Sequence, residues 1–258
     1  MTMNNSTTKQ GAMQRRLGVS ALAVAALGLA SAAQAQSDDG VDFGTFGGSA
    51  SMSTDYVFRG ISNTDEKPQV QVDFNWSHSS GVYAGVWGSN TDFGGDSSVE
   101  IDPYIGYAGS IGDTGFSYDV GYWQYIYPDS GDDRDYGEFY GIGTYSQGPF
   151  YVSPSVWFTP NYFGDDIFAD DFTGTAVDVT VGWEFAWGIQ ASARIGEQTF
   201  GSDAPDDLEY TYFDAGVSKN LGGFDLGLRW HGTDGGEELA GDPELADDRL
   251  VFSVSRSF

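Results

Sequence analysis

The last ten residues, Arg249-Leu250-Val251-Phe252-Ser253-Val254-Ser255-Arg256-Ser257-Phe258, put Leu250, Phe252, Val254 and Phe258 at every second place. Val251, Ser253, Ser255 and Ser257 fall between them. A period of two is that of a strand with one apolar face and one small or polar face. The strand ends on an aromatic residue, with no following segment to cover the apolar side, and this leaves two architectures. In a soluble sandwich it is an edge strand, whose terminal residues fray unless a neighbour ties them down. In an outer-membrane barrel it closes the sheet against the first strand, and lipid covers its outer face. Arg256 interrupts the apolar series near the strand end, where a long basic side chain can snorkel to the interface.

The same alternation runs upstream. Ala50, Met52, Tyr56 and Phe58 share a face opposite Ser51, Ser53, Asp55 and Arg59. Val70, Val72, Phe74 and Trp76 oppose Gln69, Gln71, Asp73 and Asn75. Comparable segments cover 82–87, 99–107, 116–122, 150–158, 177–185, 189–195, 212–217 and 224–230. Residues 136–145 also predict a strand, with aromatic residues on both faces and no clear parity. The sum is about 12 strands, an even number as in bacterial single-chain barrels. No stretch after the leader keeps a helical period.

The connections separate the two architectures. Short ones, such as His78-Ser79-Ser80-Gly81, Ser146-Gln147-Gly148 and Ala186-Trp187-Gly188, alternate with long polar ones at 60–67, 89–98, 128–135, 160–174, 196–208 and 232–247. One end of the sheet therefore carries every long loop. Short periplasmic turns and long external loops characterise a transmembrane barrel, whereas a Greek-key sandwich has no reason to sort its loops. The expected fold is an all-β, antiparallel up-and-down transmembrane barrel.

Lys9, Arg15 and Arg16 precede an apolar run from Leu17 to about Ala33, then Ala33-Gln34-Ala35. This is the pattern of a cleaved secretory signal peptide. The expected organisation is a leader at 1–35, a loose periplasmic lead-in at 36–48 and a barrel at 49–258 in a Gram-negative outer membrane. The leader holds three of the eleven basic residues and none of the 38 acidic ones, so the remainder carries a net charge near −30. That sign excludes nucleic acid as a partner. The chain has no cysteine, which removes disulfides, thiolate nucleophiles and thiolate-bound metals.

Ser53-Thr54-Asp55-Tyr56-Val57-Phe58-Arg59-Gly60-Ile61-Ser62-Asn63-Thr64, followed by Pro68, resembles the N-terminal signature of the TorF-type porins. The likeness continues through Gly81–Asn90, Tyr125-Ile126-Tyr127-Pro128, Glu138-Phe139-Tyr140 and the Val254–Phe258 end. The resemblance implies an outer-membrane barrel with pore activity, and brings no substrate and no site residues.

By strand parity, Asp55, Asp73, Glu100, Asp102, Asp119, Asp178, Glu184, Asp214 and Asp225 share the lumen with Arg59, Arg194, Arg229 and Arg249. Such charges either line a pore or pair across it and close it. The acidic excess favours a passive channel for ions or small solutes with cation preference; the alternative is a non-conducting structural or adhesive barrel with a salt-bridged lumen. Arg59 is expected to pair with Asp73, or with groups beside Arg249 across the closing seam. Each long loop is acidic: Asp132, Asp133 and Asp135; Asp165, Asp166, Asp170 and Asp171; Asp203, Asp206 and Asp207; Glu237, Glu238, Asp242, Glu244, Asp247 and Asp248. Solvation and repulsion account for such runs, and divalent cations bridging them to lipopolysaccharide phosphates are a further expected use. None has EF-hand spacing. No cofactor is indicated, and the expected partners are membrane lipid, lipopolysaccharide, periplasmic chaperones and the barrel-assembly machinery. Catalysis is not expected: of the two histidines, His78 faces outward near a turn and His231 inward at a loop end, and neither sequence setting suggests a serine-histidine-acid triad.

Overall fold

The C-terminal segment forms the strand its alternation predicts, and it closes a barrel. The structure, a computed structural model, describes residues 42–93, 97–128, 134–164, 172–205 and 207–258. The expected leader and most of the lead-in lie outside these residues, as do Asp132, Asp133, Asp165, Asp166, Asp170, Asp171 and Asp206.

Twelve antiparallel strands form the wall: β1 (Thr45–Ser53), β4 (Gln69–Ser77), β5 (Val82–Asn90), β6 (Val99–Ser110), β7 (Phe116–Tyr125), β8 (Tyr136–Gln147), β9 (Phe150–Thr159), β10 (Gly174–Glu184), β11 (Ile189–Phe200), β12 (Tyr210–Leu221), β13 (Phe224–Asp234) and β14 (Arg249–Ser257). Their order is sequential, except that β1 pairs with both β4 and β14. At the seam Ser49 stands opposite Ser257 and Met52 opposite Val254. Phe258 completes the closure: its N–H donates to the Gly48 carbonyl at 3.0 Å, and the Gly48 N–H donates to its carbonyl at 3.1 Å. β1 starts at Thr45, four residues before the expected boundary at 49.

The wall sorts its side chains as the period of two requires. Val70, Phe74, Ile105, Val120, Val177, Val217, Leu228, Leu250 and Phe252 point outward and are exposed. Arg256 is also outward, with its guanidinium 5.0 Å from the Phe224 ring centroid, a cation–π position on an otherwise apolar face. The inward face is polar, and its tyrosines lie flat on glycines of adjacent strands. A Cβ on Gly106 would come within 2.3 Å of the Tyr83 hydroxyl, and one on Gly85 within 2.3 Å of that of Tyr104. These glycines are floors that let large rings lie along the wall.

The first strand departs from expectation. Residues 50–59 were expected as one strand with Tyr56 and Phe58 outward, but β1 ends at Ser53 and the chain turns into the lumen. There Val57–Phe58 and Ile61–Ser62 form a two-stranded hairpin, β2 and β3. Tyr56 and Val57 are buried. The hairpin loop is Arg59-Gly60, with φ of 47° and 88°; two positive φ values match the primed turn that suits strand twist. A side chain at Gly60 would meet Thr233 Cγ2 at 2.4 Å, so the tip is wedged against β13. A barrel of about eight strands is filled by its own side chains and one of about 16 leaves a channel. Twelve strands fall between, which leaves room for an inserted hairpin. The last long loop adds a one-turn helix, α1 (Glu237–Ala240), and a 3-10 turn at Pro243–Ala246.

Candidate functional site

The hairpin is held at base and tip by charged side chains. At the base, Asp55 Oδ1 accepts from the Ser62 hydroxyl at 2.7 Å and lies 2.8 Å from the Thr64 hydroxyl, while Oδ2 accepts from Arg249 Nη1 at 2.9 Å. Both Asp55 oxygens are thus satisfied, which offsets the cost of burying the carboxylate. Arg249 also donates to the backbone carbonyls of Glu244 and Asp247, tying the last long loop to the same point.

At the tip, Arg59 makes a bidentate pair with Glu138 of β8, with Nη1–Oε1 3.0 Å and Nη2–Oε2 2.8 Å. Nη1 also donates to Gln198 Oε1 at 3.0 Å, and the Tyr125 hydroxyl donates to Glu138 Oε2 at 2.9 Å. The guanidinium lies 4.7 Å from the Phe58 ring centroid and 5.8 Å from that of Trp157. The expected pairing of Arg59 with Asp73 or the seam is therefore corrected: it reaches β8, five strands round the wall from β1. A hairpin inserted into the lumen carries the side chain further than a residue of the wall could. Glu138 and Gln198 were absent from the expected lumen set. Parity at β8 could not be read from Tyr136, Phe139 and Tyr140; in the structure Tyr136 and Tyr140 are buried inward and Phe139 is outward.

The other charges fall into several groups. On β11–β13, Arg194 Nε donates to Asp214 Oδ2 at 2.6 Å and Arg229 hydrogen-bonds Asp214 Oδ1 and Ser192. Asp178 accepts from the Tyr212 hydroxyl at 3.0 Å. On β4–β8, Asp73 accepts from Tyr104 at 2.8 Å and Asp119 from Tyr83 at 2.5 Å, with the Tyr140 hydroxyl hydrogen-bonded to that of Tyr83. Glu100 and Asp102 are buried together on β6 with no ion-pair partner among the described residues. Glu184 and Asp225 are inward by parity but exposed at the short-turn rim, where Asp225 accepts from Asn220 at 3.0 Å. The wall is thereby polarised: β4–β8 present Asp73, Glu100, Asp102, Asp119 and Glu138 with no inward base, while Arg194, Arg229 and Arg249 stand on β11–β14.

Above the hairpin, at the long-loop end, Tyr125, Tyr127, Tyr136, Tyr162, Phe172 and Leu208 form a buried cluster that also packs Phe58. Ile61 joins a second one with Tyr210, Tyr212 and Ala246. Toward the short turns, Ser117, Thr144, Ser153 and Ser192 are inward and partly exposed. The lumen is thus polar and wetter at the turn end, and packed at the loop end. His231 is buried inward on β13, opposite Asp214 on β12, and His78 stacks on Trp76 near its turn.

A closed, sequentially wound barrel of 12 strands with a polar interior is the fold of porins, and comparison with solved structures bears this out. A KdgM porin superposes with a TM-score of 0.55 at 7% identity, covering 82% of this chain and 98% of the other. The NanC porin gives 0.56 at 8%, covering 83% and 99%. At these identities the likeness is one of fold. The chain belongs to the family described as "Bacterial protein of unknown function (Gcw_chp)", which matches residues 35–258. No curated protein matches it.

Proposed function

We propose that this protein is an outer-membrane porin, a narrow passive channel for ions or small solutes with cation preference. The observation that carries the preference is the row of inward acids Asp73, Glu100, Asp102 and Asp119 on β4–β7, none of which has a basic partner among the described residues. Fixed negative charge in a low-dielectric passage favours permeating cations. With Glu138 added, ten inward acids stand against four bases. The exposed apolar outer face supports a lipid setting, because a transmembrane barrel turns such a band to lipid. The TorF-type resemblance points the same way.

In this proposal residues 1–35 are a leader removed on export, 36–48 lie in the periplasm and the remainder spans a Gram-negative outer membrane. Periplasmic chaperones and the assembly machinery deliver the barrel. The acidic loops meet lipopolysaccharide through divalent cations. Lumen residues of the pore are those named above, with Arg59 at the constriction.

A second function is a non-conducting structural or adhesive barrel. It is favoured by one observation: the hairpin and the aromatic cluster together fill the long-loop end. Planar-bilayer recording of the purified barrel across a salt gradient separates the two. A cation-signed reversal potential is expected, weakening toward 1 M salt, where the Debye length falls to about 3 Å. An anion-signed potential would reject the preference. Absence of conductance, together with its absence after deletion of residues 57–62, would establish the sealed barrel.

A further inference from the structure

His231 is on the inward face of β13, yet it is only 1% exposed. An inward wall residue is cut off from the lumen where something lies over it, and here the inserted hairpin does. A Cβ on Gly60, in the hairpin turn, would come within 2.4 Å of Thr233 Cγ2, 3.0 Å of the Gly232 carbonyl and 3.3 Å of Tyr212 Cβ. The turn therefore rests on β12 and β13 beside His231, where Tyr212 faces Thr233 and Asp214 faces His231. Both ring nitrogens of His231 are buried with no hydrogen-bond partner among the described residues. Buried polar side-chain atoms are as a rule partnered, so this ring is held by packing and not by a hydrogen bond.

The charges around the ring are already committed to one another. On β12 it faces Asp214, whose Oδ2 accepts from Arg194 Nε of β11 at 2.6 Å and whose Oδ1 is held by Arg229 of β13 itself. On β14 it faces Arg249, which donates to Asp55 Oδ2 at 2.9 Å and lies 3.4 Å from Glu66. Asp55 Oδ1 is taken by Ser62 and Thr64, at the base of the hairpin. Tyr212 donates to Asp178 of β10, and Arg59, beside Gly60 in the turn, is paired with Glu138. Three arginines, Arg194, Arg229 and Arg249, thus stand about the ring with two carboxylates, Asp55 and Asp214. A neutral imidazole adds no charge to this group. An imidazolium adds a further positive charge and a second N–H donor, and finds no acceptor that is not already bonded.

We propose that His231 is a pH-sensitive latch for the hairpin: its protonation releases the Arg59-Gly60 turn from β12 and β13. To take up the proton under the hairpin, His231 must draw Asp214 from Arg194 and Arg229, or Asp55 from Arg249 and the hairpin base. With the hairpin lifted, the ring meets lumen water and protonates in the ordinary histidine range, around pH 6.5. The lifted form therefore binds more protons than the docked form, and docking is lost as the pH falls through that range. For one proton the equilibrium shifts by up to about tenfold per pH unit. The latch concerns the position of the hairpin and does not depend on whether the barrel conducts.

The test uses the full mature barrel in detergent. Because the chain has no cysteine, Ile61→Cys, a hairpin position 9% exposed, reports lifting through its reaction with a maleimide. Its rate is divided by that of Glu238→Cys, an exposed loop position, at each pH from about 7.5 to about 5. This ratio cancels the pH dependence of the reagent and of a free thiol. The ratio should rise several-fold toward the acid end, and should stay flat in Ile61→Cys/His231→Leu. His78→Gln should leave the rise intact. A flat ratio with His231 present, or an equal rise after His231→Leu, would overturn the latch. If His231→Leu does not fold, His231→Gln, which is neutral throughout the range, is read by the same two outcomes.

Discussion

Arg59 and Glu138 are 79 residues apart in sequence and meet inside the barrel with two parallel hydrogen bonds, 5% and 1% exposed respectively. One comes from the turn of an inserted hairpin and the other from the far wall, so the pair measures whether the hairpin is in place. Removing one member of a buried pair strands the other charge and costs about 3–5 kcal/mol. Arg59→Ala should therefore lower the temperature at which the barrel loses heat-modifiable migration, and Arg59→Ala/Glu138→Ala should recover part of the loss. Equal losses in the single and double variants would show that the two side chains are not coupled.

The tyrosine-on-glycine packing makes a second prediction. Gly106→Ala puts a methyl where the Tyr83 hydroxyl lies and must displace the group that donates to Asp119. Overpacking of this kind costs about 1–3 kcal/mol. Thermal migration assays on Gly106→Ala, Tyr83→Phe and the double variant should show that the double change costs less than the sum of the single ones. Additive losses would mean that the ring and the glycine act independently.

Closure depends on the final residue. The Phe258 backbone makes two hydrogen bonds to Gly48, and its ring centroid lies 6.3 Å from that of Phe74, edge to face. Deletion of Phe258 removes both and leaves the end of β1 open on one side. The folded, heat-modifiable fraction recovered from membranes should fall, while Phe258→Tyr should retain it. A normal folded fraction in the deletion would show that the β1–β14 pairing of Ser49–Ser53 suffices.

Topology is open to a direct test because the chain contains no cysteine. Asp203 and Glu238 are exposed in long connections, and Ser79 and Gly222 in short turns at the opposite end. Single variants Asp203→Cys and Glu238→Cys should react with a membrane-impermeant maleimide on intact cells, and Ser79→Cys and Gly222→Cys only after the outer membrane is opened. The reverse pattern would invert the barrel.

Most of the wall was legible in the alternation. Val70-Gln71-Val72-Asp73-Phe74 states its own inside and outside, and in the structure Asp73 is buried while Val70, Val72 and Phe74 are exposed. The same rule placed Asp119, Asp178 and Asp214 inward, since a period of two is a local property of the backbone. It failed at β8, where Tyr136, Phe139 and Tyr140 are alike in chemistry and face different ways, and Glu138 was missed with them.

The sequence by itself determined about 12 strands, the faces of those outside β8 and residues 54–59, the sorting of short turns from long loops and the acidic excess of the lumen. Each follows from neighbours along one chain segment. Only the tertiary structure decided that residues 55–64 leave the wall and fold inward, and that Arg59 meets Glu138. These depend on which strands stand beside or across from one another once the barrel is closed. The local pattern of Asp55 to Arg59 suits a wall strand as well as a hairpin. The buried partners Ser62, Thr64, Arg249 and Glu138 favour the hairpin, because inside a closed barrel a charge must find its counter-charge and hydrogen bonds from protein rather than from bulk water.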